Sequence, residues 1–241
     1  MVLFNRENLP DMYAKTLWMN PDIEYVFRKN IVEYDMQSAS LSVSRRFHLL
    51  PDTLIDQLDR MPKDKRTREI GMKQKYDKAF SEDLINGILQ TRKEFIETNH
   101  LTDDTIITLH SDALMFIQKH VVTDNIKGVP FVRKNSWSSY IRYNRVEMFY
   151  TDGVIDYKGI PKQMLQQHTL GINDYLLRIF RMIEDNNPDI YDYIRKFQRQ
   201  YLQDKLPEYY YIPFGNTGKY KSENLQLFSF IAKIIMREVK T

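Results

Sequence analysis

Hydrophobic positions in the first hundred residues predict one short strand and several helices. Residues 31–34, which contain Ile31, Val32 and Tyr34, are predicted to form a short buried strand. Asp35 stands at its end, and the small hydroxyl residues that follow predict a turn into a helix. From residue 65 to 98, apolar side chains recur at steps of three and four, which predicts one long helix or two helices that break near Gly71. Shorter helices are predicted over residues 11–18 and 51–61.

Beyond residue 100 the pattern changes to strands and then returns to helices. Two apolar runs within residues 105–122 flank Ser111 and Asp112, which predicts a tight hairpin with Asp112 at its tip. Two further strands, joined by a turn at residues 151–153, are predicted at residues 138–150 and 154–157. Helices are predicted at residues 164–184, 188–206 and 225–239, with a loop between the last two.

This order of elements predicts an α+β fold with an antiparallel sheet and packed helices. We expect residues 1–160 to form an α+β domain that contains the sheet and a helical insertion at residues 50–100. Residues 161–241 are then a separate helical region.

Composition narrows the chemistry that such a fold can carry. None of the 241 residues is cysteine, so disulfides, thiolate catalysis and sulfur-based zinc sites are excluded. Any metal ion must be held by oxygen or imidazole ligands, which favours magnesium or manganese. No apolar run is long enough to span a membrane and the N-terminal residues lack a secretory pattern, so we expect a cytoplasmic protein with no membrane partner.

The net charge of +3 is too small to indicate a nucleic-acid-binding protein by itself, but the basic residues are unevenly distributed. They crowd the segment 63–78, which is either a solvated helix face or a binding surface. The tyrosines at residues 209–211 leave a similar choice. They either pack a loop against the body of the protein or stack on single-stranded bases.

Signatures of several common enzyme classes are missing from the sequence. There is no GxxxxGK[ST] phosphate loop, no GxGxxG and no GxSxG, and the five histidines lack zinc-type spacing. Ordinary nucleotide hydrolases, dinucleotide dehydrogenases, α/β-hydrolases and zinc hydrolases are therefore disfavoured.

Two aspartates stand where strands are predicted to end or to turn. If the strand that ends at Asp35 lies beside the hairpin that carries Asp112, both carboxylates reach one site and can hold two divalent ions for phosphoryl transfer. Magnesium needs only one or two protein carboxylates when water and substrate phosphates supply the remaining ligands. Asp35 and Asp112 are therefore candidate metal ligands, with Mg²⁺ or Mn²⁺ as the cofactor.

The segments around both aspartates resemble the palm domain of B-family DNA polymerases. EYDMQSASLSV, which contains Asp35 and Ser38, resembles the first palm motif, and ITLHSDALMFI, which contains Asp112, resembles the catalytic hairpin. RYNRVEMFYTDGVIDYKGI resembles the strand pair and Lys-Gly element that lead from palm to thumb. The resemblance extends from residue 31 to about residue 180.

This resemblance implies a palm-like domain followed by a thumb-like helical region, in a compact viral polymerase or in one subunit of a split enzyme. The implied activity is template-directed nucleotidyl transfer with DNA or RNA and a nucleoside triphosphate as partners, and other replication or polymerase subunits as further partners. It assigns catalysis to Asp35 and Asp112, nucleotide binding to Ser38, Lys75 and Lys78, and nucleic-acid contacts to Arg142 and Lys158.

The sequence also departs from the family pattern. Ser40 stands where these polymerases usually carry a tyrosine that screens the sugar 2′-position, and the hairpin has one aspartate where many have two. Glu33, on the same strand face as Asp35, is either the missing carboxylate or a surface charge, and His110 is either a ligand or a structural residue. Two alternatives therefore stay open: a palm-derived subunit that only binds nucleic acid or protein, and a metal-dependent nuclease.

Overall fold

The computed structural model describes residues 9–160, 170–212 and 221–238, and it divides the chain into two units. The first unit contains residues 1–23 and 31–136, and the second contains residues 24–30 and 137–241. Each unit has its own antiparallel sheet and its own hydrophobic core. The predicted α+β class is confirmed. The predicted boundary at residue 160 is not where the structure divides, because residues 137–160 belong to the second unit.

Elements are numbered along the chain, and the first unit holds five of the described helices. They are α1 Asp11–Ala14, α2 Ala39–Arg46, α3 Asp52–Asp59, α4 Lys63–Tyr76 and α5 Lys78–Thr98. Its six-stranded sheet is built from β1 Leu17–Met19, β3 Ile31–Met36, β4 Ile106–His110, β5 Ala113–Ile117, β6 Asn125–Ile126 and β7 Val129–Trp137. Across the sheet the strands follow the order β1-β4-β5-β3-β7-β6.

The second unit combines a four-stranded sheet with three described α-helices. The sheet has the order β10-β9-β8-β2 and is built from β2 Tyr25–Val26, β8 Ser139–Tyr143, β9 Val146–Thr151 and β10 Val154–Lys158. The helices are α6 Leu170–Glu184, α7 Ile190–Leu202 and α8 Lys221–Glu238, and a 3₁₀ turn covers Glu208–Tyr211. Residues 164–169 of the predicted helix and residues 213–220 of the predicted loop lie outside the described residues.

The centre of the first sheet confirms the two strand predictions that matter most for the site. β3 pairs with β5, and β4 and β5 form the predicted hairpin around Ser111 and Asp112. Helix α5 covers this sheet, and its Phe95 ring lies 4.3 Å from that of Phe131 on β7. Because Leu84 and Phe95 are fully buried, α5 fixes the sheet from behind.

The helical segment after residue 62 breaks at Asp77 and not near Gly71. Asp77 has an extended backbone, and its Oδ1 accepts a hydrogen bond of 3.0 Å from the Phe80 N–H, which caps α5. Gly71 lies inside α4, which begins at Lys63. The capping aspartate, rather than the glycine, therefore ends the first helix.

Other differences from the predicted elements have local or tertiary causes. The predicted helix 11–18 ends at Ala14, because Leu17–Met19 pairs with β4 as a strand. The predicted strand 138–150 is a hairpin that turns at Asn144, whose left-handed φ of 57° suits a tight turn. Strand β7 was not predicted, because Pro130 and a charged segment interrupt its apolar pattern.

The second core explains why residues 137–160 belong with the helices. The Tyr150 ring of β9 stacks on Phe180 of α6 at 4.6 Å, and both side chains are fully buried. Tyr211 stacks on Tyr201 at 4.8 Å and Tyr210 is buried, so these two tyrosines pack against the unit. Within the described residues, no helix has the length and apolar character needed to cross a membrane.

Gly87 marks the closest approach between α5 and α2. A Cβ atom there would lie 2.6 Å from Val43 Cγ1 and 3.0 Å from the Phe47 ring. We expect Gly87→Ala to lower the free energy of unfolding by about 1–2 kcal/mol, because overpacking outweighs the gain in helix propensity. Gly71→Ala is the matched control. Its Cβ would have no neighbour within 4 Å, so we expect it to stabilise the protein by about 0.5–1 kcal/mol. Urea denaturation measures both, and a stabilised Gly87→Ala variant would contradict the packing.

Candidate functional site

Asp35 and Asp112, 77 residues apart in the chain, line the same cavity of the first unit. In the register of β3 and β5, Asp35 faces Ala113, the residue that follows Asp112. The Met36 N–H donates a hydrogen bond of 3.0 Å to the Asp112 carbonyl, which continues this pairing into the turn. The structure thus brings the two acids to one site, as the sequence predicted.

The cavity has a volume of about 560 Å³ and combines these acids with three cationic side chains. Lys63 and Arg66 come from α4, and Lys134 comes from the exposed part of β7. Helix α4 also contributes Gln74, while the first residues of α2 form another part of the lining. A phosphorylated ligand would therefore find both cations and carboxylates in the lining of one cavity.

Ser38 links the end of β3 to Arg66 on α4. It adopts a left-handed conformation, with φ 51° and ψ 46°, at the point where β3 turns into α2. Its hydroxyl oxygen accepts a hydrogen bond of 3.0 Å from Arg66 Nη2. Arg66 Nη1 also lies 3.8 Å from Asp59 Oδ1, so the guanidinium is held in place at the edge of the cavity.

Burial raises the pKa of Asp35, and the neighbouring charge of Asp112 raises it further. Lys134, whose ammonium lies 3.8 Å from Asp35 Oδ2, opposes this shift, and Lys63 opposes it more weakly. A cation placed between two carboxylates that repel each other stabilises their charged forms. The electrostatics therefore favour a cationic ligand between Asp35 and Asp112.

Arg92 of α5 holds the hairpin of Asp112 from behind. Its side chain is fully buried, and its guanidinium donates to the carbonyls of Met12 at 3.0 Å, Lys15 at 2.6 Å and Ser111 at 3.3 Å. Burial lowers the pKa of Arg92 to about 10, while the charge of Asp112 acts in the opposite direction. This role of Arg92 was not predicted from the sequence, because an arginine on an amphipathic helix normally faces solvent.

The two residues considered as additional metal ligands do not line the cavity. Glu33 is nearly buried, and its Oε2 accepts a hydrogen bond of 2.5 Å from Asn135 Nδ2. His110 ends β4 on the other side of the hairpin turn. No group of three or more histidine, aspartate or glutamate side chains that could hold a metal ion occurs in the part of the chain that the structure describes.

Lys75 and Lys78, predicted to bind the nucleotide, are not among the residues that line the cavity. Lys75 lies on the opposite face of α4 from Ile70, the buried residue of that helix, and Lys78 is exposed at the start of α5. Because α4 begins at Lys63 and presents every third or fourth residue to the cavity, Lys63 and Arg66 occupy the expected place instead.

Arg142 and Lys158, predicted to contact nucleic acid, lie in the second unit on strands that flank β9. Both are paired in register with Glu147, which is fully buried. Tyr140 donates a hydrogen bond of 3.1 Å to Glu147, and the Lys158 ammonium lies 5.6 Å from the centre of the Trp137 ring. The register thus sets two cations against a buried carboxylate, and removing either cation would leave that buried charge less well compensated, whether or not nucleic acid binds.

The interaction between Asp35 and Asp112 can be measured directly. We expect Asp112→Asn to lower the pKa of Asp35, because the like charge that raises it is removed while the burial remains. Carbon-detected NMR titration of the carboxyl groups measures the pKa. Asp104→Asn, a change at an exposed acid of the same unit, is the control and leaves the Asp35 pKa unchanged. An unchanged pKa in Asp112→Asn would show that the two carboxylates do not interact.

Comparisons with known proteins identify a family for this chain. No curated protein shows significant similarity to the sequence. The model of the bacteriophage PBS1 gene 130 protein family matches residues 8–241, which includes both units. The chain therefore belongs to the family of the bacteriophage PBS1 gene 130 protein.

Proposed function

We propose that the cavity of the first unit carries out metal-dependent, template-directed nucleotidyl transfer, either as a small polymerase or as one polymerase subunit. The observation that carries this proposal is the meeting of Asp35 and Asp112, from neighbouring strands, in one cavity with Lys63 and Arg66. Carboxylates beside cations suit a metal-bound triphosphate. The resemblance of the segments around both aspartates to polymerase palm motifs supports the same proposal. The phage family of the chain agrees only with the viral origin that this resemblance implies. A cytoplasmic location is part of the proposal.

In this proposal the triphosphate lies against α4 and the start of α2. Arg66 is oriented by Ser38 and Asp59, so it can present its remaining N–H groups to a phosphate. Lys63 adds a second positive charge on the same helix face. The first residues of α2 line the cavity, and the partial positive charge of a helix N-terminus favours an anion at this end of it.

Asp35 and Asp112 are the residues that would hold magnesium or manganese. Both offer the oxygen ligands that these ions prefer, and their mutual repulsion, which raises the pKa of Asp35, would be relieved by a cation. When bound, the metal ions supply activation of the attacking hydroxyl and charge neutralisation at the leaving group. Two protein carboxylates are enough for this role, because water and the substrate phosphates complete the coordination.

The reaction itself is an in-line displacement at the α-phosphorus. The 3′-oxygen of a primer forms the new bond, the bond to the bridging oxygen of the β-phosphate breaks, pyrophosphate leaves, and the hydroxyl proton passes to solvent. The side chains of this chain contribute by position and charge: Arg66 and Lys63 offset the charge of the leaving phosphates, and Arg92 fixes the hairpin that carries Asp112. The second unit, in the thumb-like position along the chain, is proposed to contact the nucleic acid.

Lys134 supports a second candidate, in which the site binds nucleic acid or protein without catalysis. Its ammonium, 3.8 Å from Asp35 Oδ2, offsets the carboxylate charge in the way that a metal ion would. A binding site of this kind needs no divalent ion. A metal-dependent nuclease is the third candidate, because the same carboxylates serve hydrolysis as well as transfer.

We expect Asp35→Asn and Asp112→Asn each to reduce nucleotide incorporation by at least about 100-fold, because each removes charge stabilisation needed in the transition state. The measurement is extension of a labelled primer on DNA and RNA templates with Mg²⁺ or Mn²⁺. Circular dichroism verifies folding, and Asp104→Asn is the control acid. Cleavage without extension would indicate the nuclease, and full activity in both variants would rule out the proposed site.

We expect Arg66→Ala and Lys63→Ala each to weaken nucleotide binding about 10-fold or more, because each loses a charge-assisted contact with phosphate. Lys78→Ala is the matched control, since Lys78 is a nearby exposed cation outside the cavity. Calorimetric titration with a nucleoside triphosphate and Mg²⁺ measures affinity without turnover. A loss in Lys78→Ala that equals the loss in Arg66→Ala would place the triphosphate elsewhere.

A further inference from the structure

Helix α4 has two chemically different faces, and only one of them belongs to the cavity. The cavity face carries Lys63, Arg66, Ile70 and Gln74. The opposite side, here called the outer face, is exposed at every position and consists of Lys65, Arg68, Glu69, Met72, Lys75 and Tyr76. At 100° per residue these six positions form one stripe along the helix.

The outer face is basic and also carries two large apolar side chains. Three of its residues are cationic and one is acidic, and α4 as a whole has six basic and two acidic residues. Tyr76 is 73% exposed and Met72 is 44% exposed. The Lys75 ammonium lies 5.4 Å from the centre of the Tyr76 ring, so cation and aromatic ring are presented together.

Packing among the residues that the structure describes does not account for this face. Ile70 is the one residue of α4 that is buried, and the helix does not have the apolar stripe that normally attaches a surface helix. Two neighbouring large apolar residues, exposed among cations, instead have the character of an interaction surface.

We propose that the outer face of α4 binds single-stranded nucleic acid, with a base stacked on Tyr76 and backbone phosphates held by Lys65, Arg68 and Lys75. The positive charge is complementary to a polyanion, and an exposed aromatic ring among cations is the arrangement that binds unpaired bases without regard to sequence. An acidic peptide would use the cations alone and has no need of the ring. From Lys65 to Tyr76 the face extends about 16 Å along the helix axis, enough for several stacked nucleotides.

This surface is separate from the chemistry of the cavity, because it uses the opposite side of the helix and requires neither metal nor nucleotide. If the proposed polymerase activity holds, the bound strand is the unpaired template beside the site. If that activity is not found, we still expect the outer face to bind single-stranded nucleic acid. The proposal also gives Lys75 a role different from the nucleotide contact predicted from the sequence.

The test is fluorescence anisotropy with a labelled short oligothymidylate and the full chain, in the absence of divalent ions and nucleotides. We expect Tyr76→Ala to weaken binding about 5-fold or more without changing the salt dependence, and Tyr76→Phe to retain the affinity because it keeps the ring. We expect Arg68→Glu with Lys75→Glu to weaken binding about 10-fold or more and to reduce the salt slope by about 2.

The matched control is Lys119→Glu with Lys127→Glu, which makes the same change in net charge at two exposed cations of the same unit. We expect it to bind nearly as the unchanged protein does. An equal loss of affinity in this control would show that only the net charge matters and would overturn the proposal. Unchanged binding by Tyr76→Ala would also overturn it. Polyglutamate that competes as well as oligothymidylate would identify an acidic protein as the partner instead.

Asp112→Asn separates this proposal from the proposed activity. Loss of incorporation with full binding of oligothymidylate would support both. The Arg68→Glu, Lys75→Glu variant gives a second comparison. If it loses binding of oligothymidylate but still extends a primer whose end is fully paired, the outer face is a surface separate from the cavity. Incorporation without any measurable binding of oligothymidylate would leave the activity standing and reject the surface.

Discussion

The pairing of β3 with β5 is the constraint on which the candidate site depends. Side chains alternate between the two faces of a strand, so a shift of one residue would turn Asp35 away from the cavity and break its relation to Asp112. The register is held at both ends: Ile31 faces Ile117 in the sheet, and the Met36 N–H binds the Asp112 carbonyl beside the turn. Buried apolar residues along both strands make any other register costly.

The charges around this strand pair are arranged in layers. Arg92 lies behind the hairpin, fully buried, and binds main-chain carbonyls instead of a carboxylate. Asp35 and Asp112 line a cavity that also contains the cations Lys63, Arg66 and Lys134. Removing a buried charge from such an arrangement usually costs more than the direct contact is worth, because its partners are left without compensation. The site is therefore supported by the same interactions that hold the first unit together.

Helix α4 connects the cavity to the surface of the first unit. Its cavity face and its outer face are both basic, yet they differ in what they present: Arg66 is fixed by Ser38 and Asp59, whereas Tyr76 stands exposed beside Lys75. A fixed guanidinium suits a defined phosphate, and an exposed ring suits unpaired bases of any sequence. One helix can thus serve two kinds of contact with nucleotides.

The sequence alone determined the strand that leads to Asp35, the hairpin with Asp112 at its tip and most of the helices, because period and turn residues are local signals. Only the tertiary structure decided which cations enter the cavity. Lys134 comes from β7, a strand hidden in the sequence by Pro130 and its charged neighbours, and the phase of α4 selects Lys63 and Arg66 over Lys75. Arg142 and Lys158 flank the buried Glu147 because three strands fold back on one another. These side chains lie together only because segments that are distant in the chain pair with one another, and no local sequence pattern encodes that pairing.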